Sequence, residues 1–211
     1  MITLITAIAG GKDNLINNQA KADRYIAFTD RPFKTEIWEQ YPVCNKFCEP
    51  VMNAKIHKIM PHKYIDTDYS IWIDGNIKIK ESAEKIIELL EDADIAVFRH
   101  PGRDCIYDEA QACMEMGKGN PDEIQKQIDT YANEDFQKNN GMGECNVIIR
   151  KHSSKMNVFN EAWWAEICQH SERDQISFPV VLERFKNIIT PKFIEPNAHY
   201  HPYFGYLGHI L

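Results

Sequence analysis

The sequence predicts an α/β fold with a mostly parallel central sheet that helices cover on both faces. Three observations support this prediction. Apolar segments of strand length alternate with segments whose apolar residues recur at helical spacing, which is the pattern of βα units. The apolar run at residues 69–74 ends in an acid followed by glycine, as a buried strand does at a sheet edge. A length of 211 residues suits one domain with a substantial core.

The predicted elements follow one another without an internal repeat or a low-complexity linker. Residues 81–92 form the clearest amphipathic helix, and another helix begins after Asn120, which can cap it. The tail from Pro191 onward is rich in Pro, His, Tyr and Gly, so we expect it to be irregular. We expect a single domain over residues 1–211, either a whole protein or one domain of a longer one. The predicted strands are residues 2–9, 24–28, 69–74, 94–98 and 145–150, and a short strand follows Gly75. The remaining predicted helices are residues 51–60, 156–169 and 174–185.

Composition narrows the classes of function. The net charge of −7 argues against non-specific binding to nucleic acid. The apolar residues 1–9 are too few to span a bilayer, so we expect no membrane span. Six cysteines are scattered along the chain and no signal peptide precedes them, which predicts free thiols and a cytoplasmic location.

Asp74, Gly75 and Asn76 are the most informative residues in the sequence. They follow a predicted buried strand, and α/β sheets bind ligands at the carboxyl edge of their strands. An Asp and an Asn two residues apart present oxygen ligands that suit Mg²⁺ or Mn²⁺, which in turn holds a diphosphate. The alternative is an ordinary β-hairpin turn, because Asp-Gly and Gly-Asn are common turn pairs.

Cationic residues lie near the same predicted edge. Lys55 and Lys58 are three residues apart in a predicted helix, so they share a face that either meets a pyrophosphate or is solvated. Residues 99–103 contain two arginines and a histidine directly after a strand. That segment is either part of a ligand site or an ordinary surface loop.

Two carboxylates are candidates for proton transfer. Asp174 opens a predicted helix, where it either completes a reciprocal cap with Ser171 or faces a pocket beside Gln175. Glu144 precedes a predicted strand and is either a turn carboxylate or part of the site.

Three histidines, His199, His201 and His209, lie among aromatic residues in the tail. A neutral imidazole is a common metal ligand, and stacked aromatic rings suit the face of a sugar. Each of the three is also compatible with a plain surface position.

Several separate motifs occur in a fixed order over about residues 1–185. They are Asn53-Ala54-Lys55 with Lys58, Pro61-His62, residues 69–75, His100-Pro101 with Arg103, Glu109-Ala110, Gly143-Glu144, Arg150, and Arg173-Asp174-Gln175 with Ser177-Phe178. This pattern resembles the glycosyltransferase-like domain shared by plant mucilage-related proteins and bacterial and viral sugar transferases. The resemblance implies a GT-A (Rossmann-like) fold, a nucleotide-diphosphate-sugar donor and a divalent metal.

The resemblance also implies roles for individual residues. Asp74-Gly75-Asn76 stands where such enzymes keep an Asp-x-Asp metal motif, and the neutral amide of Asn76 is a weaker ligand than a carboxylate. The implied donor-binding residues are Thr6, Ala7, Ile8, Asp30, Asn53, Lys55, Lys58, Asp74, Gly75 and Asn76. The implied contacts to acceptor or sugar are His100, Arg103, Arg173 and Gln175, and the implied metal ligands are Asp74, Asn76, His199 and His201.

The predicted function is therefore a metal-dependent hexosyl- or deoxyhexosyltransferase that moves a sugar from a UDP-sugar to a hydroxyl of a glycan or glycoprotein. A divalent ion stabilises the leaving diphosphate, and Lys58 adds positive charge. An inverting reaction needs a base, for which Asp174 is the first choice and Glu144 the second; a retaining reaction needs none. Donor sugar, acceptor, stereochemistry and oligomeric state stay open.

Two alternatives belong to other classes. Asn76 motivates a non-catalytic nucleotide- or carbohydrate-binding module with the same fold, which binds without turnover. A nucleotidyltransferase uses a similar metal at the sheet edge but releases pyrophosphate.

Overall fold

The structure, a computed structural model, describes residues 1–11 and 13–208. Its strands are β1 (Ile2–Ile8), β2 (Arg24–Thr29), β3 (Glu39–Pro42), β4 (Tyr69–Ile73), β5 (Ile77–Ile79), β6 (Ile95–Arg99), β7 (Gly143–Lys151), β8 (Pro191–Ile194) and β9 (Phe204–Tyr206). Its α-helices are α1 (Pro50–Ile59), α2 (Ala83–Ile87), α3 (Ile106–Glu115), α4 (Pro121–Asn133), α5 (Ser154–Gln169) and α6 (Asp174–Arg184). Short 3-10 helices lie at Pro61–Lys63 and Glu88–Leu90.

Seven strands form the central sheet in the order β3-β2-β1-β4-β7-β6-β8. Four pairings are parallel, and only the two made by β7, with β4 and β6, are antiparallel. The prediction of a mostly parallel sheet is confirmed. The remaining strands, β5 and β9, pair with each other in a small antiparallel sheet.

Helices cover both faces of the central sheet because side chains alternate along each strand. On β4, Ile71 packs into one core cluster and Trp72 into the other. The first cluster includes Ala83 of α2, and the second includes Phe159 of α5 and Phe178 of α6. None of the helices in the described part of the chain has the length and apolar character that crossing a bilayer requires.

The sequence prediction missed β3 and α3 and was wrong about the tail. β3 is a short edge strand with no buried residue, so no apolar pattern marked it. Helix α3 begins after Cys105 without a side-chain cap. The tail, expected to be irregular, supplies β8 and β9, and β8 completes the main sheet beside β6.

The strand directions bring polar residues together at one edge. β1, β4 and β6 run in the same direction, so their carboxyl ends lie at this edge together with the start of β7, which runs the other way. Asp74 directly follows β4, His100 follows β6, and Glu144 is the second residue of β7. We call this side of the sheet the carboxyl edge.

Candidate active site

Lys55 and Lys58 of α1 are buried, with 8% and 7% of their surface exposed. They are three positions apart in the helix, so both project from the same face. A lysine ammonium is almost never buried unless it is paired. The alternative that these lysines lie on a solvated helix surface is therefore wrong.

Asp174 pairs with both lysines. Its Oδ1 lies 3.0 Å from Lys55 Nζ, and its Oδ2 lies 2.8 Å from Lys58 Nζ. Burial by itself would raise the pKa of Asp174, but the two ammonium groups outweigh it and hold that pKa far below its usual range. A carboxylate with so low a pKa is a weak base.

The reciprocal cap predicted for Asp174 is wrong. The N-cap position of α6 is Arg173, whose backbone N–H donates to Ser171 Oγ at 3.3 Å. Ser171 Oγ in turn donates to Gln127 Oε1 of α4. Asp174 is left to face the lysines of α1.

Asp74 lies next to Lys58 at the carboxyl edge. Its Oδ1 accepts hydrogen bonds from Trp72 Nε1 at 2.8 Å and from Lys58 Nζ at 3.3 Å, while 40% of its side chain is exposed. Lys58 therefore contacts two carboxylates, Asp74 and Asp174. Burial lowers the pKa of Lys58, but these two carboxylates outweigh it and raise that pKa, so the ammonium stays charged.

Asp74, Gly75 and Asn76 form a turn, as one of the two sequence interpretations predicts, and Asp74 also contacts the charged cluster. The backbone N–H of Ile77 donates to Asp74 O at 3.0 Å, which closes the turn into β5. A Cβ atom on Gly75 would lie 3.1 Å from Cβ and Oδ2 of Asp13. Asp13 brings a second carboxylate to this turn, and no local motif in the sequence marks it.

Glu144 lies close to this charged group. Its Oε2 is buried and has no hydrogen-bond partner among the described residues. Burial raises its pKa; Asn146 opposes the rise, and the Asp74 carboxylate reinforces it. A half-buried carboxylate with a raised pKa is a stronger base than Asp174.

Tyr206 of β9 extends the same group. Its hydroxyl is hydrogen-bonded to the Asn146 side chain, and burial, followed by Glu144 and Asp74, raises its pKa. His199 is exposed and packs on Tyr206, with 4.8 Å between ring centroids. His199 also lowers the pKa of Glu144, so the structure places this predicted metal ligand beside Glu144.

His201 packs among aromatic side chains of the core. It is buried, its ring lies 5.4 Å from that of Phe98 and 5.8 Å from that of Phe204, and its Nδ1 accepts from Tyr203 N at 3.3 Å. These contacts give it a packing role, which corrects its prediction as a metal ligand. His209 lies outside the described residues. Within residues 1–11 and 13–208, no three His, Cys, Asp or Glu side chains form a group able to hold a metal ion.

The loop after β6 and the start of α6 share a buried carboxylate, Glu109. Arg103 Nε donates to Glu109 Oε2 at 2.5 Å, and Arg173 lies 3.9 Å from Glu109 Oε1. His100 Nδ1 accepts from Arg103 N at 3.0 Å, which shapes the loop. Two guanidinium groups share one carboxylate, so these three side chains together carry a net positive charge.

The other predicted site residues have more local contacts. Both amide atoms of Asn53 bond to the backbone of Phe47, at 3.0 and 2.7 Å, which is a structural role. Asp30 is exposed and accepts from Gly10 N at 2.6 Å, just after β1. Gln175 donates to Gly143 O at 3.5 Å. Thr6, Ala7 and Ile8 end β1, and the buried Thr6 hydroxyl has no hydrogen-bond partner among the described residues.

The sheet, its helical layers and its polar carboxyl edge define a GT-A fold. The apo structure of mouse xyloside xylosyltransferase 1 matches with a TM-score of 0.50 and 11% sequence identity, over 92% of this chain and 84% of that chain. This likeness supports the fold alone.

The chain belongs to the TOD1/MUCI70 glycosyltransferase-like domain family, which matches residues 17–197. It is 30% identical over 164 residues to a probable hexosyltransferase MUCI70 of Arabidopsis thaliana, covering 72% of this chain and 28% of that protein. It is 25% identical over 161 residues to an alkaline ceramidase TOD1 of the same plant, covering 70% of this chain and 34% of that protein. The chain thus spans about a third or less of these relatives.

Proposed function

We propose that this domain is a glycosyltransferase that moves a hexosyl or deoxyhexosyl group from a UDP-sugar to a hydroxyl of a glycan or glycoprotein. One observation carries the proposal: a buried, charged Lys58 lies between Asp74 and Asp174 at the carboxyl edge of a GT-A sheet. A fixed positive charge there is suited to the negative charge that develops on a departing diphosphate. Membership of a glycosyltransferase-like family supports this assignment.

The residues at the edge fit a divalent cation such as Mn²⁺ or Mg²⁺. Oxygen atoms predominate, and two buried ones, Glu144 Oε2 and Asn146 Oδ1, have no hydrogen-bond partner among the described residues. Asp74 and Asn76 would hold the ion, with diphosphate oxygens completing its shell. When bound, the ion would act as a Lewis acid on the leaving diphosphate.

Lys58, Asp174 and Glu144 would have separate roles in the reaction. Lys58 would contact the diphosphate, while Asp174 holds Lys55 and Lys58 in place instead of taking a proton. If configuration inverts, Glu144 is the better base because its pKa is raised. This reverses the preference drawn from the sequence, for which burial and pairing were invisible.

The proposed location is the cytoplasm. All six cysteines are free thiols in the structure, which agrees with a reducing compartment.

Calorimetric titration with UDP, in the presence of MnCl₂ or of EDTA, tests the proposal. We expect binding that depends on Mn²⁺ and that weakens at least about tenfold in Asp74→Ala, because the variant loses a charged metal ligand. The matched control is Asp94→Asn, a buried aspartate at the other end of the sheet, which should bind UDP as the wild type does. UDP affinity that needs neither Mn²⁺ nor Asp74 would contradict the metal assignment.

A binding module without catalysis is the second candidate, and Asn76, an amide where a carboxylate is expected, favours it. Incubation with UDP-glucose, UDP-galactose and UDP-rhamnose together with glycan acceptors that offer free hydroxyl groups, followed by measurement of free UDP, separates the candidates. Release of UDP supports the transferase, and binding without release supports the module. A parallel assay for fatty acid released from ceramide is warranted because one relative is called a ceramidase.

A further inference from the structure

Arg150, in β7, is a fully buried cation without an acidic partner. Its exposed fraction is 0%, and no carboxylate among the described residues forms an ion pair with it. Its Nη1 donates to the backbone carbonyl of Lys58 at 2.9 Å, whereas Nε and Nη2 have no partner in the described part of the chain. Burial lowers the pKa of Arg150 to about 9, so the guanidinium is still charged at neutral pH. Such a group costs folding free energy.

The contacts of Arg150 connect the two elements that carry the charged cluster. On one side it bonds to Lys58 near the end of α1. On the other side its guanidinium lies 5.7 Å from the ring centroid of Trp163. Trp163 Nε1 donates to Ser177 Oγ at 3.0 Å, and Ser177 Oγ donates to Asp174 O at 3.2 Å. A continuous buried chain of contacts thus runs from Lys58 to Asp174 through Arg150.

We propose that Arg150 is a positioning residue that holds Lys58 and Asp174 in register for a bound nucleoside diphosphate. The proposal rests on the proposed function, because it assigns the diphosphate to Lys58. An apolar residue of similar volume would serve the core at least as well, since replacing buried charge by apolar groups is often neutral or stabilising. The benefit of Arg150 therefore lies in the geometry of the two side chains that it braces.

This role predicts that stability and ligand affinity respond in opposite directions. In Arg150→Met the buried charge is gone, so we expect a melting temperature equal to or above that of the wild type. The last turn of α1 loses the hydrogen bond that Arg150 donates to it. A displacement of about 1 Å in a functional group can lower the rate of a reaction by up to about 100-fold. We expect UDP in the presence of Mn²⁺ to bind about 10-fold more weakly.

Titration calorimetry and thermal melting of Arg150→Met and two further single variants test the proposal. Arg150→Lys keeps the charge and one donor and should recover part of the affinity. Thr3→Val is the matched control, because Thr3 is equally buried, has no hydrogen-bond partner among the described residues and lies in the same row of the sheet, through Ser70. It should bind UDP as the wild type does.

A double-mutant cycle with Lys58→Met separates positioning from a general structural effect. If Arg150 acts through Lys58, then Arg150→Met causes little further loss in the Lys58→Met background. Fully additive losses, or wild-type affinity in folded Arg150→Met, would overturn the proposal while leaving the proposed function intact. Absence of UDP binding by the wild type would overturn the proposed function and this inference together.

Discussion

Buried charged side chains at the two ends of the central sheet differ in their partners and in their exposure to water. At the end where β4 and β6 begin, Asp94 is buried, and its Oδ2 accepts from Lys155 Nζ at 2.6 Å and from Thr190 N at 2.9 Å. Lys155 is 44% exposed, so water shares that ion pair. At the carboxyl edge, Lys55 and Lys58 are both buried and share Asp174.

The difference indicates which end of the sheet keeps buried charges that stability alone does not require. The Asp94 carboxylate is paired with a backbone N–H and a partly solvated lysine. The carboxyl edge concentrates buried cations around one carboxylate, and Glu144 Oε2 and Asn146 Oδ1 have no hydrogen-bond partner among the residues that the structure describes. Perturbed ionisable groups of this kind cluster at functional sites, since stability alone does not require them.

Removing the shared carboxylate should have the largest effect on this comparison. Asp174→Asn leaves the buried Lys55 without a counter-charge and Lys58 with only the partly exposed Asp74, so we expect the free energy of unfolding to fall by about 3–5 kcal/mol. The matched change at the other end, Asp94→Asn, should cost about 1–2 kcal/mol, because Lys155 is solvated. Urea unfolding measures both. Equal losses would show that the two ends do not differ in this way.

Substitution of Glu144 tests whether a residue at the carboxyl edge takes part in acid–base catalysis. In an inverting transferase, Glu144→Gln should lower kcat about 100-fold or more, because an amide cannot take a proton. The raised pKa predicts that wild-type activity falls as pH drops through a value above 4.5, where the base becomes protonated. We expect the pH profile of sugar transfer to lose this acidic limb in the variant. An unchanged profile and rate would leave Glu144 a structural residue.

The last predicted effect lies at the Asp94 end and concerns His152. Burial lowers the pKa of His152 to about 4, and its Nε2 lies 2.9 Å from Ser70 Oγ. The folded state resists protonation, so this contribution to stability is present above pH 6.5 and is lost as pH falls towards 4. We expect a loss of about 3 kcal/mol over this range. Unfolding free energies at several pH values measure it, and His152→Gln should remove that part of the slope.

Local signals in the sequence were sufficient for much of the fold. Apolar runs and apolar periodicity, which record whether a residue meets the core, marked β1, β2, β4, β6, β7 and the helix predicted over residues 81–92. β9 gave no such signal, because three residues are too few for a period and its pairing with β5 connects distant parts of the chain. The orientation of β7 was likewise invisible, since apolar strands look the same in either direction.

The candidate site was predicted in part. Asp74, Lys55 and Lys58 were identified because a strand end and a helix face can be read from neighbouring residues. Asp13 was missed because its place beside Gly75 depends on the path of the loop after β1. His201 was misassigned because a histidine looks the same in sequence whether it packs against aromatic rings or faces a site.

The sequence by itself determined the alternation of strands and helices and delivered Asp74 to a sheet edge, because both depend on side chains within a few residues of one another. Only the tertiary structure decided that Lys55 meets Asp174, 119 residues later in the chain. Whether those charges are solvated or buried against each other depends on how α1 and α6 pack on the sheet, and burial gives their pairing its strength.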